Sequence, residues 1–145
     1  MRTLDLSKNN LRKIPNCIGE IKNLRNLFLR DNNLSSLPDL LCNLKNLNQL
    51  ILDNNQLTRL PKNIGKMSNL SQLKLNNNKL ENLPESLANL KRFYYLELNN
   101  NCFKEFPEVI KKIDLHWFQI SGNLIRDFPK KVGKAKLVGN GIYEE

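Results

Sequence analysis

The stretch from Leu70 to Pro84 reads LSQLKLNNNKLENLP, and its pattern returns along the chain at a fixed step of 23 residues. Leu4, Leu27, Leu50, Leu73 and Leu96 keep that step; so do Asn9, Asn32, Asn55, Asn78 and Asn101, and Pro15, Pro38, Pro61, Pro84 and Pro107. Apolar residues, asparagine and proline that all recur at one period of this size define a solenoid. Each unit is too small to bury its own apolar face, so neighbouring units stack and share one continuous core.

Physical chemistry assigns a task to each position. In a strand, alternate residues point to opposite faces, which sends Leu73 and Leu75 inward and Gln72, Lys74 and Asn76 outward. Asn78 follows, where the chain turns while buried and its backbone groups need partners. An asparagine amide both donates and accepts, so a column of them can bond successive turns. Pro84 helps fix the return path. Leu83, Leu87 and Leu90 complete the inner wall at a spacing that suits a loose helical turn.

The unit L-x-x-L-x-L-x-x-N-x-L-x-x-L-P-x-x-[IL] resembles the leucine-rich repeat, in its 23-residue form, over nearly the whole chain. The resemblance implies an α/β fold: a short horseshoe-shaped solenoid with a parallel concave sheet and an irregular or short-helical convex side. Such repeats occur in small intracellular signalling scaffolds and in proteins that bacteria deliver into host cells. The resemblance also implies that the concave sheet face is the interaction surface.

At 145 residues the chain reads as one domain. The expected repeats span 1–23, 24–46, 47–69, 70–92, 93–114 and 115–134, with a degenerate capping strand in 135–145. The fifth repeat loses one residue near Asp114, because Phe118 and Ile120 reach the core positions one place early. Ala135, Leu137, Asn140 and Ile142 repeat the strand–Asn–Leu spacing, which predicts a last strand over Ala135–Val138 closing the stack and a loose tail from Tyr143. Met1 already occupies the first position of repeat one, so no separate N-terminal cap is expected. The start, MRTLDLSKNN, has no apolar core of a secretory signal, and no apolar run is long enough to span a membrane. Cys17, Cys42 and Cys102 are scattered and odd in number, which favours reduced thiols and a cytoplasmic location, host cytosol included if the protein is a delivered effector. Asparagine use beyond the recurring column of Asn9, Asn32, Asn55, Asn78 and Asn101 is read as compositional bias without a chemical role.

Candidate binding residues are those placed outward without a folding duty. Phe28 and Ile51 share one column on neighbouring strands. Tyr94, Tyr95, His116 and Trp117 form an aromatic group towards the C-terminal end, and such residues dominate interface hot spots. Arg25, Arg30, Lys74 and Lys79 face Asp5, Asp31, Asp53 and Glu97, a mixed surface able to set orientation. Gln119 lies beside Glu97 on the next strand. The face is short, about 30 Å for six strands at ~4.8 Å each, so the turns carrying Asp31, Asn54, Asn77 and Asn100 would have to add contact area.

The net charge of +9 raises a nucleic-acid or anionic-lipid alternative. Its excess falls on the expected convex side and near the C-terminus, at Lys22, Lys45, Lys91, Arg92, Lys111, Lys112, Lys130, Lys131, Lys134 and Lys136, without the interleaved aromatics of single-strand binders. Catalysis has little basis: there is one histidine, His116, and Cys102 is expected at the opposite end of the strand from it, beyond reach of a nucleophile–base pair. No Gly-rich phosphate loop or cofactor motif is present; Gly139-Asn140-Gly141 is a lone turn signal. The reading is therefore a non-enzymatic protein-binding module, adaptor or inhibitor, gripping another protein on the concave face, with no cofactor and no small-molecule substrate.

Overall fold

The computed structural model describes residues 1–132 in full and the backbone of 135–138 and 141–143. Six short parallel strands form its main sheet: β1 (Thr3–Asp5), β2 (Asn26–Phe28), β3 (Gln49–Ile51), β4 (Gln72–Lys74), β5 (Tyr95–Glu97) and β6 (Trp117–Gln119). Leu4 pairs Leu27, Leu27 pairs Leu50, Leu50 pairs Leu73 and Leu73 pairs Leu96, and between β5 and β6 the offset shortens so that Leu96 pairs Phe118. In β2 to β6 the middle residue is fully buried and its two neighbours are half-buried on the open face. The fold is a short leucine-rich repeat solenoid, as the spacing predicts.

Behind the sheet the chain turns through a buried asparagine column. Asn55 Nδ2 donates to Leu29 O at 2.9 Å and Leu52 O at 3.0 Å, and its Oδ1 accepts from the Leu34 N–H at 3.0 Å. Asn32, Asn78, Asn101 and Asn123 repeat this arrangement on their own turns. A leucine-lined turn without these amides would strand backbone groups away from water.

The return path is made of short 3-10 helices at Asn16–Glu20, Asp39–Asn43, Ile64–Lys66, Glu85–Asn89 and Glu108–Lys112. Pro15, Pro38, Pro84 and Pro107 immediately precede four of these, with φ between −70° and −67°, the value the ring imposes. Adjacent units approach closely here. A Cβ on Gly65 would stand 2.1 Å from the carbonyl oxygen of Ser86, so only glycine fits.

The C-terminal end differs from the expectation. Ala135–Val138 is indeed a strand, β8, but it is not the one that meets β6. β9 (Gly141–Tyr143) lies antiparallel against β6, with Trp117 opposite Tyr143, and β8 and then β7 (Lys131–Val132) follow outward, each antiparallel to its neighbour. Tyr143 is thus part of the sheet and not of a loose tail. The physical reason is that alternation marks a strand but not its direction, and β7, β8 and β9, joined by only a few residues each, can only pair antiparallel with one another. Lys134, Gly139, Asn140, Glu144 and Glu145 lie outside the described residues, as do the side chains of Lys136, Leu137 and Ile142. In front of this hairpin the core turns aromatic: Phe106 meets Phe118 edge-on at 6.0 Å and Phe128 at 6.3 Å.

Candidate partner-binding face

The open face of the sheet presents three columns set by the strand register. The first holds Thr3, Asn26, Gln49, Gln72, Tyr95 and Trp117; the second holds Asp5, Phe28, Ile51, Lys74, Glu97 and Gln119. The third, one position past the buried residues Leu29, Leu52, Leu75, Leu98 and Ile120 that follow the strands, runs through Arg30, Asp53, Asn76, Asn99 and Ser121.

At the C-terminal end of the first column, Tyr95 and Trp117 stack with ring centroids 5.8 Å apart and planes 11° from parallel. Both are half-buried. Lys74 Nζ sits 5.1 Å from the centre of the Tyr95 ring, and 3.3 Å from Glu97 Oε1. The Tyr95 hydroxyl donates to Glu97, and the Asn76 amide donates to its other oxygen. Burial pushes the Glu97 carboxyl up, but the Tyr95 and Asn76 hydrogen bonds and the Lys74 charge outweigh that, so its pKa lies below the ordinary value. Burial and the bond to Glu97 raise the Tyr95 phenol in turn. On Lys74 burial acts downward and Glu97 overcomes it, leaving the ammonium above its usual range.

Tyr94 and His116 form a separate pair on the strand-entry edge, centroids 5.9 Å apart and tilted by 53°. The Tyr94 hydroxyl accepts from Gln72 Nε2 at 3.1 Å, and Gln49 Nε2 donates to Gln72 Oε1 at 3.0 Å. A chain of hydrogen bonds therefore runs along the face from β3 to the aromatic edge.

Phe28 and Ile51 stand side by side on β2 and β3, in a hollow of about 380 Å³ lined also by Asp5, Arg30, Gln49, Asp53, Gln72 and Lys74. Asp53 Oδ1 accepts from the Asn76 N–H at 2.8 Å. Burial raises the Asp53 carboxyl, the Asn76 bond opposes it, and the Glu97 charge adds to the rise; the net pKa is above the ordinary value.

Besides Tyr94 and His116, four expected members of the face lie elsewhere or act differently. Arg25 is on the strand-entry edge, where it lines a polar notch of about 540 Å³ with Asn26, Asn46, Asn48, Asn69 and Arg92. Asp31 is in the turn beyond β2. Glu97 is nearly interior, its side chain only 12% exposed, and serves as counter-ion to Lys74 rather than as an open charge. Gln119 accepts from Asn99 Nδ2 at 2.8 Å and so helps tie the third column together.

The excess asparagine is chemistry and not compositional bias. Asp31, Asn54, Asn77 and Asn100 all have left-handed backbone, φ between 55° and 57°, a conformation asparagine and aspartate tolerate better than most residues. Their side chains bond in series: Asn54 Nδ2 to Asp31 Oδ1 at 2.6 Å, Asn77 Nδ2 to Asn54 Oδ1 at 2.7 Å, and Asn100 Nδ2 to Asn77 Oδ1 at 2.9 Å. Gly122 ends the series; a Cβ there would lie 2.0 Å from Asn100 Oδ1. The 23-residue recurrence of Asp or Asn, closing on Gly, was the available sequence signal. On the strand-entry edge Asn46 and Asn69 donate to the Lys22 and Lys45 carbonyls at 2.8 and 2.9 Å, and Arg92 donates to Asn69 Oδ1 at 3.0 Å.

Away from this face, Lys111 pairs with Glu108 at 2.6 Å and Lys112 with Glu85 at 2.7 Å. Among the described residues, no group of three or more His, Cys, Asp and Glu side chains is placed to hold a metal ion, and no helix is long and apolar enough to cross a membrane.

These features match known proteins. A family model described as a leucine-rich repeat region matches residues 1–93. A leucine-rich repeat protein of Leptospira interrogans is 38% identical, with a TM-score of 0.87, over 90% of this chain and 33% of its own. The ectodomain of the Arabidopsis thaliana membrane receptor kinase GASSHO1/SCHENGEN3, solved with Casparian strip integrity factor 2, is 28% identical with a TM-score of 0.76, over 86% of this chain and 16% of its own. The plant peptide hormone receptor RGFR1, solved with RGF2, is 32% identical with a TM-score of 0.73, over 84% of this chain and 20% of its own. The chain thus spans about a third of the Leptospira protein and a fifth or less of the receptors. A search of curated protein sequences returned no match.

The fold and the matched repeats define a repeat scaffold, and the chain belongs to the leucine-rich repeat family. Proteins of this family commonly mediate protein–protein interaction and are typically non-enzymatic binding modules.

Proposed function

We propose that this chain binds another protein on the concave face of its sheet, with Tyr95 and Trp117 as the anchor. The observation that carries the reading is the stacked aromatic pair held half-buried on strand positions whose inward neighbours, Leu96 and Phe118, already fill the core. Two rings fixed by stacking, one further pinned through Glu97, offer apolar area at little cost in rotamer entropy. The two receptor neighbours, each solved with its partner, support a protein or peptide as the class of ligand. The glutamates against Lys111 and Lys112 weaken the basic-surface alternative, because they neutralise part of the convex charge.

The role is that of an adaptor, or of an inhibitor covering a partner's site. A pull-down from the native cell tests the binding, with Trp117→Ala and Tyr95→Ala chains as controls. Each substitution should weaken capture by about 2 kcal/mol or more while leaving the unfolding transition cooperative. A partner retained by both variants and lost on reversing Lys111 and Lys112 would transfer the function to the basic surface. Whether the captured protein keeps its own activity separates adaptor from inhibitor.

The same proposal places the chain in a reducing cytosol. Cys17 is exposed, Cys42 buried and Cys102 half-buried, all as free thiols. Burial and the nearby Asp39 charge push Cys42 up to about 11, so it stays a protonated, inert thiol at neutral pH. Thiol labelling in extracts of the native cell should find Cys17 reduced.

A further inference from the structure

The hollow between β2 and β3 has a chemistry that the aromatic anchor does not use. Its floor is the adjacent pair Phe28 and Ile51, both half-buried on the open face. Asp53 stands at its rim, two residues beyond Ile51 and on the same side of the sheet. The ion pairs found among the described residues are Lys74–Glu97, Lys111–Glu108 and Lys112–Glu85, and Asp53 belongs to none of them. Its hydrogen-bond donor is the Asn76 backbone N–H. The two cations of the hollow form no ion pair with Asp53, although the Lys74 charge still acts on it. Lys74 is held by Glu97 at 3.3 Å, and the Arg30 charge acts on Asp5. Gln49 and Gln72 are bonded to each other at 3.0 Å.

The open valence of this hollow is therefore an apolar floor beside a carboxylate that is in no ion pair. A lysine or arginine side chain has the complementary form: a long aliphatic stem ending in a positive charge. We infer that the Phe28–Ile51–Asp53 hollow receives a cationic side chain, arginine or lysine, from the bound protein. The stem lies across Ile51, the charged head reaches Asp53, and the face of Phe28 adds cation–π attraction. The volume of about 380 Å³ is large enough to admit such a side chain. Charge on the strand face agrees: with Lys74 and Glu97 paired, Asp5 and Asp53 stand against Arg30 there, although the whole chain carries +9. A basic contact segment on a partner is complementary to this hollow.

This inference rests on the concave-face reading above and names the chemistry of the partner's second contact. The test is selection of random twelve-residue peptides, displayed on phage, against the immobilised chain. Enriched peptides are then measured on Asp53→Asn, Phe28→Ser and Trp117→Ala chains, each first shown to unfold cooperatively. Asp53→Asn keeps the shape of the hollow and an acceptor for the Asn76 N–H, and removes only the charge. The expected result is a shared arginine or lysine in the enriched peptides, a loss of affinity of tenfold or more on Asp53→Asn, and a similar loss on Phe28→Ser. Replacing the shared basic residue by glutamine should then cost the wild-type complex as much as Asp53→Asn does, and the Asp53→Asn complex little. Peptides without a common basic residue, or peptides indifferent to Asp53→Asn, overturn the inference. If those peptides still depend on Trp117, concave-face binding stands and only this contact fails. If none depends on Asp53, Phe28 or Trp117, or if no peptide is enriched, both fall.

Discussion

Replacing Asn55 by alanine isolates what the buried asparagine column contributes. Asn55 makes four bonds on its turn, the longest to Asp53 O at 3.3 Å, and they are not equal. The carbonyl of Leu29 receives Asn55 Nδ2 but keeps Asn32 Nδ2 at 3.0 Å, and the carbonyl of Leu52 keeps Asn78 Nδ2 at 3.0 Å. The Leu34 N–H, by contrast, has Asn55 Oδ1 as its acceptor, in a fully buried residue. One stranded donor costs roughly 2 kcal/mol, and the two carbonyls that fall from two donors to one add about 0.5 kcal/mol each. The expected destabilisation is about 3 kcal/mol. At a urea m-value of about 2 kcal/mol per M, the midpoint should fall by roughly 1.5 M. Asn9 occupies the same repeat position but is exposed, and its amide donates only to Ser7 O at 3.0 Å; Asn9→Ala should cost about 0.5 kcal/mol. Urea unfolding followed by both circular dichroism and Trp117 fluorescence gives the comparison, with coincident curves as the check on cooperativity. Native-state hydrogen exchange should show Leu34 N–H losing protection in Asn55→Ala. Equal midpoint shifts for the two variants, or unchanged Leu34 protection, would refute the reasoning.

Other consequences are open to measurement. Asn77→Ala must hold alanine at φ 56° and give up two exposed amide bonds, so it should lose about 2 kcal/mol in urea unfolding, whereas Asn77→Gly, free of the backbone penalty, should lose about 1 kcal/mol or less. Gly65→Ala should cost about 1–3 kcal/mol by forcing a Cβ onto the Ser86 carbonyl, even though Ala88 stands at the same place one repeat later. Glu97 and Asp53 should show opposite pH dependence. The depressed Glu97 pKa adds stability that is present above 4.5 and lost as pH falls through its folded value, so Glu97→Gln should be weaker than wild type by about 1 kcal/mol at pH 7, with the gap closing below pH 4.5. The raised Asp53 pKa works the other way: its charge costs stability above the folded pKa, so Asp53→Asn should melt no lower than wild type at pH 7, any gain vanishing below about pH 3.8.

The architecture was legible because its determinants are single residues with no substitute. Leu73, Asn78 and Pro84 each answer a local demand, for burial, for a two-way hydrogen-bonding group and for a fixed φ, and the demand returns in every unit. What was not legible depends on which neighbour a side chain turns to. The spacing puts Glu97 on the open face, but not its capture by Tyr95, Asn76 and Lys74. It puts Arg25 and Asp31 near β2, but not on opposite edges of the sheet. Asn54 and Asn77 read as surplus because a residue on an exposed turn has many possible partners, and only the coordinates show that the partner is its own repeat copy. Ala135–Val138 reads as a strand, and its place outside β9 follows from chain reversal that alternation does not encode.

The two carboxylates also separate folding from binding on one surface. Glu97 lies where three groups donate to it or neutralise it, and the fold gains from its charge. Asp53, two strands away, lies where burial and Glu97 both oppose ionisation, and the fold would be as well served by an amide. Asparagine occupies the same column in the next two repeats, at Asn76 and Asn99, where it bonds its neighbours within the sheet. A carboxylate at Asp53 therefore gives the scaffold nothing that Asn76 and Asn99 do not supply. Its use lies outside the scaffold, in a positive group brought by the partner, and that is why the Phe28–Ile51 hollow rather than the Lys74–Glu97 pair is the charged half of the proposed interface.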